Sequence, residues 1–278
     1  MVEHAAVALT TGGTGRAYRT LLGSRLRAQT AYRTSFTLDL LGQFGIGLME
    51  LAEIYVIFHN VDVLGGLDLG PALLVFALAN LSESVADTLC GHLDSLPTFI
   101  RAGTLDAMLL RPLPLLGQLV TADLSLRRLA RGASALVVLA VAVPLAVDDW
   151  TPAKVALLVL APITGTLIFC ALFVAAAAAQ FWLVDGGAEL TNSFTYGSRY
   201  VASYPASVLS RPVRVFFTFV VPATFTAYLP TLALTGLPGP AGLPSWLGWC
   251  TPVAAAVLWC VVLVAWRFGV RHYTGAGG

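Results

Sequence analysis

Four carboxylates stand inside otherwise apolar stretches: Glu50 and Glu53 in one, Glu83 and Asp87 in the next, with Asp39, Gln43 and Asn80 beside them. An ionised carboxylate deep in hydrocarbon costs at least several kcal/mol. Each of these groups must therefore be protonated, hydrogen-bonded or turned towards a wet cavity. No Lys or Arg falls well within any such stretch to neutralise them. On a helix Asn80, Glu83 and Asp87 share one face, and so do Glu50 and Glu53. Two uses fit this spacing: a polar pathway at or near an interface between two chains, or interhelical hydrogen bonds that hold a bundle together. A pathway lined by unpaired acids would favour cationic or polar amphiphiles. Asp39 lies near the end of its stretch and is expected to be solvated.

The elements that must position these acids follow from composition. Of 278 residues, 57% are hydrophobic and 11% charged, against about 25% charged in a soluble domain. The mean hydropathy is +0.80. Apolar residues cluster in blocks long enough to cross a bilayer, which takes roughly 20 residues per helix. This excludes a secreted or cytosolic enzyme, a nucleic-acid binder and a disordered scaffold. Six blocks are predicted: Phe36–Phe58, Pro71–His92, Leu119–Val147, Ala153–Leu183, Val213–Leu234 and Trp246–Trp266. The fold class expected is all-α, a polytopic membrane protein with six transmembrane helices. Pro144, Pro162 and Pro222 fall inside blocks, where each removes a backbone donor and kinks its helix.

Orientation follows from the basic residues. With six crossings every arginine falls on one side: Arg16 to Arg33, Arg101 to Arg131, Arg199 to Arg214, and Arg267 with Arg271. Only Lys154 falls opposite, in loops that otherwise carry Asp62, Asp68, Asp148 and Asp149. The positive-inside rule then puts both termini in the cytoplasm of a multi-pass protein. The opening MVEHAAVALTTGGTG lacks a basic n-region and a continuous apolar core, so it reads as a cytoplasmic tail rather than a signal peptide. Residues 1–34 form this tail plus a basic segment, Arg16–Arg33, that is either an interfacial helix or a plain basic flank. Residues 35–278 form the six-helix domain, with a cytoplasmic loop at 94–131. Cys90, Cys170, Cys250 and Cys260 have no CxxC spacing and read as packing residues. No metal-ligand spacing is present, and no catalytic residue is assigned.

The loop carries clear helix punctuation in Ile100–Pro112, IRAGTLDAMLLRP. Thr104 can cap a short helix, Leu105, Met108 and Leu109 fall on one face, and Pro112 ends the run. The apolar face is flanked by Arg101 and Arg111. Such a helix either docks into a groove on a cytoplasmic partner or lies on the inner leaflet. A second cytoplasmic helix is expected to open at Asp185–Glu189 and run towards Arg199 and Tyr200.

The stretch IRAGTLDAMLLRP resembles the R-x-G-T-[LF]-[DE]-x-L-L-x-x-P signature in the cytoplasmic loop after span two of ABC-2 type permeases. A second likeness runs through Tyr196-Gly197, Ser203-Tyr204-Pro205, Phe216 to Ala223 and Tyr228-Leu229-Pro230, and a third lies in the Arg271-His272-Tyr273 exit. Together they are similar to an actinobacterial and firmicute branch of that superfamily, over essentially the whole chain after its N-terminal tail. The resemblance implies an ABC-2, type V exporter-like permease fold in a bacterial plasma membrane. It implies pairing with a second permease, a heterodimer more than a homodimer, and with two copies of an ATPase subunit. Arg101, Gly103, Thr104, Leu105, Asp106, Met108, Leu109, Leu110, Arg111 and Pro112 would form the coupling helix that seats on the ATPase. ATP and Mg would be bound there: this chain has no G-x-x-x-x-G-K-[ST] phosphate loop, holds no cofactor and is not itself an enzyme.

The function expected is therefore the permease of an ATP-driven exporter. The alternative is a proton-coupled secondary transporter using the intramembrane carboxylates, which predicts inverted repeats that the two halves do not display. HExxH, GxGD and buried Ser–His or Ser–Lys arrangements are missing, which argues against an intramembrane protease.

Overall fold

The computed structural model describes residues 33–122, 128–183, 187–240, 243–273 and 275. The tail and the Arg16–Arg33 segment therefore lie outside the described residues, apart from Arg33 itself. Helices α1 (Arg33–Asn60) and α2 (Leu69–Cys90) are followed by a 3-10 turn, Gly91–Ser95, and short helices α3 (Leu96–Arg101), α4 (Thr104–Leu109) and α5 (Leu115–Ala122). Then come α6 (Leu129–Ala146), α7 (Pro152–Ala179), α8 (Gly187–Ser203), α9 (Arg211–Val215), α10 (Tyr228–Thr235) and α11 (Thr251–His272). Among the described residues the sole strand-like pairing is an isolated bridge between Leu64 and Leu67. It closes the α1–α2 turn, where Gly65 and Gly66 take positive φ that side chains other than glycine adopt at a cost.

Helix α2 is the hub. It is buried along nearly its whole length and packs against α6, α7 and α8. Between helices in lipid no hydrophobic force favours association, so small residues and interhelical hydrogen bonds hold the contacts. Gly132 of α6 faces Ser84, and Gly165 of α7 faces Ser82. The Ser84 hydroxyl donates to the Arg128 carbonyl at 2.7 Å, and the Thr166 hydroxyl donates to the Ser82 carbonyl at 3.2 Å. Helix α1 lies outside this core, packed mainly on α6 with Gly47 against Ser134. Most of its surface is exposed, Leu38, Leu41 and Met49 included.

Among the described residues five helices are long and apolar enough to cross a membrane: Thr37–Asn60, Leu69–Arg101, Leu129–Ala146, Pro152–Ala179 and Ser245–His272. Of the predicted third block, residues 119–122 belong to α5 and Leu129–Ala146 forms α6, and residues 123–127 lie outside the described residues. The predicted fifth block, Val213–Leu234, is broken into pieces. A π turn, Phe216–Val220, closes with Val221 N–H donating to Phe216 C=O at 2.9 Å, and Pro222 then stops the ladder. A 3-10 turn, Ala223–Phe225, leads into α10. An apolar cleft of about 300 Å³ separates this broken segment from α11, lined by Phe219, Pro222, Phe225, Val253 and Val257. Pro144 and Pro162, by contrast, are accommodated within α6 and α7.

Candidate functional site

The acids of α2 meet arginines from two other elements. Arg131, in the first turns of α6, places Nη2 3.5 Å from Glu83 Oε2 and 3.4 Å from Asp87 Oδ2. Arg128, just before α6, donates from Nη1 to the Asp87 carboxylate at 2.8 Å and to the Asp87 carbonyl at 2.9 Å. Arg199 of α8 hydrogen-bonds Glu50 of α1 and sets its Nε 3.8 Å from Glu83 Oε2. Three guanidiniums thus face three carboxylates, and the formal charges of this set cancel. Glu83, Asp87, Arg131 and Arg199 are all buried.

The expectation that no basic residue neutralises the intramembrane acids is corrected here. In the sequence Arg128 and Arg131 lie near the start of the third block and Arg199 on the cytoplasmic helix after Asp185–Glu189, where they read as orientation signals. Helix α6 runs antiparallel to α2, with Leu145 beside Gly70 at one end and Gly132 beside Ser84 at the other. Its first turns therefore lie opposite the last turns of α2, where long guanidinium stems reach inward. Helix α8 packs against α2 and α7, so Arg199 points into the bundle. The one signal in the sequence was the three-residue spacing of Arg128 and Arg131, which puts both on one face. Gly91 is part of the same device: a side chain there would overlap Arg128 Nη1 and Asp87 Oδ1.

The cluster is not fully satisfied. Both oxygens of Glu83, Oε2 of Glu50, and Nε of Arg131 and of Arg199 are buried without a hydrogen bond in the structure. Ion pairs buried this way gain little net stability, yet removing one partner costs about 3–5 kcal/mol because the other charge is stranded. Asn80 completes the α2 face, donating to the Ser203 hydroxyl of α8 at 3.3 Å and to the Phe76 carbonyl at 3.0 Å.

Glu53 stands apart. It is exposed on α1, no ion pair among the described residues reaches it, and its hydrogen bond comes from the Tyr204 hydroxyl at 2.6 Å. Glu50 and Glu53, assigned together from their spacing, are thus split. The first is drawn into the arginine cluster and the second faces outward.

The loop residues form a compact, tied unit. Gly103, at φ 67°, lets the chain reverse between α3 and α4. Thr104 does not cap α4 as an acceptor: its hydroxyl donates to the Phe99 carbonyl at 3.2 Å, holding α4 to α3. Gln118 of α5, which sequence reasoning missed, donates to the carbonyls of Met108 and Leu113, both at 2.9 Å. Leu105 is fully buried in the chain's own core and Met108 packs against it. Leu109, Leu110, Arg111 and Pro112 are exposed, Leu110 at 88%. Arg101 is exposed and Asp106 half-buried. The apolar surface presented outward is therefore Leu109–Leu110: of the face read in the sequence, Leu105 and Met108 turn into the core and Leu109 stays outside.

The C-terminal end returns to this loop. Burial, and then the neighbouring Asp106, push the Tyr273 phenol above its ordinary value. Tyr273 also packs on Phe181, which stands edge-on to Trp266 at 5.4 Å. Among the described residues no group of three or more His, Cys, Asp and Glu converges as metal ligands.

The family profile described as ABC-2 family transporter protein matches residues 44–277. No curated protein and no solved structure is significantly similar to the chain. The match takes in all five long apolar helices except the start of the first, together with the tied loop and the arginine–carboxylate cluster. The chain belongs to the ABC-2 family of transporter proteins, as a membrane permease.

Proposed function

We propose that this permease is the translocation half of an ATP-driven exporter, working as a dimer and driven through the loop after α2 by a separate ATPase. The observation that carries this reading is the exposed Leu109–Leu110 tip. Two apolar side chains stand clear of the bundle on a helix anchored by Leu105 from below and by Gln118 from the side. Exposed leucines on a rigid, tied turn fit a groove on a partner protein, and the rigidity lets a push on the tip reach α2.

Two ATPase subunits would bind ATP and Mg. The second permease is a different chain in preference to a copy, following the branch that the loop and Tyr204 motifs resemble. Six crossings fit the return of Tyr273 to Asp106, with the broken segment 211–235 making the fifth. Both termini are then cytoplasmic in a bacterial plasma membrane. The proton-coupled alternative loses ground because Glu50, Glu83 and Asp87 face guanidiniums instead of standing as free proton carriers. Co-purification with an ATPase subunit tests the reading. Association should be lost in Leu109→Asp/Leu110→Asp, and a chain that transports alone on a proton gradient would overturn it.

A further inference from the structure

Glu53 carries a consequence for what the permease binds. At roughly 1.5 Å per residue it lies about 10 Å from the Asn60 end of α1, within the span Thr37–Asn60. A carboxylate exposed to lipid at that depth costs several kcal/mol, so this face is not simply lipid-covered. The charge is not absorbed by the neighbouring cluster, where Glu50 takes Arg199. Its fixed partner is a neutral donor, the Tyr204 hydroxyl, which holds one carboxylate oxygen. Met49 and Val56, one turn to either side on α1, are exposed at 76% and 58%, and Tyr200 in the last turn of α8, which ends just before Tyr204, is exposed as well. A single negative charge thus sits among apolar and aromatic surface at membrane depth. The ligand that matches has one positive charge and an apolar body, because the charge pairs with Glu53 while the body covers Met49, Val56 and the Tyr204 ring; the Tyr200 ring already carries the Arg199 guanidinium, 5.5 Å from its centroid.

We infer that Glu53 and Tyr204 form a binding site for lipophilic monocations on the exposed side of α1. The inference rests on the export reading only for the fate of the bound cation; binding itself is a property of this chain. The test uses the full chain in phosphatidylcholine nanodiscs, with rhodamine 6G as the probe and empty nanodiscs as the blank. Tetraphenylphosphonium competes in one arm and neutral triphenylphosphine oxide in another. Expected are competition by the phosphonium alone, at least tenfold weaker binding in Glu53→Gln, near-normal binding in Glu53→Asp, and an intermediate loss in Tyr204→Phe. Wild-type affinity in a monodisperse Glu53→Gln protein, or equal competition by the neutral oxide, would overturn the site. So would a Glu53→Gln protein that keeps cation binding but changes oligomeric state, since a second permease would then be what covers Glu53. If Glu53→Gln fails to purify, loss of the charge preference in Tyr204→Phe or its persistence decides between the same two outcomes. ATPase co-purification is scored separately: a chain that binds cations without an ATPase keeps the site and loses the export reading, and the reverse result does the opposite.

Discussion

The Arg199 guanidinium hydrogen-bonds the Glu50 carboxylate across 149 residues of sequence. This contact ties α8 to α1, a helix that otherwise leans mainly on α6. Removing one member strands the other, and Arg199→Ala also leaves Glu83 with Arg131 alone. Arg199→Ala should lower stability by about 3–5 kcal/mol, read as a drop in the thermal midpoint of the detergent-purified protein. Glu50→Gln combined with Arg199→Gln should cost less than the sum of the single changes, with a coupling of about 0.5–3 kcal/mol. Strict additivity would show that the two side chains do not meet.

Leu105 and the Leu109–Leu110 pair should separate stability from association. Leu105→Ala opens a cavity under α4 and should cost about 2–5 kcal/mol. Leu109→Asp/Leu110→Asp changes only exposed surface, so the protein should melt normally while losing its ATPase subunit in pull-downs.

Two glycines hold the geometry between the cluster and the tip. Gly91→Ala should force Arg128 off Asp87 at a cost of about 1–3 kcal/mol from overpacking. Gly103→Ala should cost about 1–2 kcal/mol because its φ is left-handed, with Gly103→Asn milder. Thermal midpoints of the three variants check the order.

Tyr273 gives a pH dependence with a definite sign. Its folded-state value is raised above 10.0, first by burial and then by Asp106. The folded protein therefore holds this proton more tightly than the unfolded chain. The stabilisation is complete below pH 10 and declines as pH rises through the raised value. Phenolate absorbance, as the difference between wild type and Tyr273→Phe, should show this residue titrating above 10; a midpoint at or below 10 would contradict the placement beside Asp106.

The sequence already showed the helical class, because lipid-length apolar blocks can be read by counting, and it showed the loop helix between Thr104 and Pro112, although Thr104 donates to Phe99 instead of capping it. The acids were legible as a problem, since carboxylates at Glu83 and Asp87 need some partner in hydrocarbon. Their solution was not, because Arg131 and Arg199 lie at helix ends 44 or more residues away and an arginine stem reaches further than any periodicity reveals. The break at Pro222 was anticipated as a kink; the π turn before it depends on backbone pairing that no residue pattern announces. The inward turn of Leu105 was likewise hidden, because which side of a six-residue helix faces home depends on what packs beneath it.

In the proposed exporter, force from the ATPase enters through the Leu109–Leu110 tip. The most direct measurement is ATPase activity of the assembled transporter in nanodiscs, with and without Leu109→Asp/Leu110→Asp in this chain. Wild-type permease should co-assemble with the ATPase and alter its turnover, and the double variant, still folded, should leave the ATPase unbound and its turnover at the level of the free subunit. Full assembly and unchanged coupling in the double variant would contradict it.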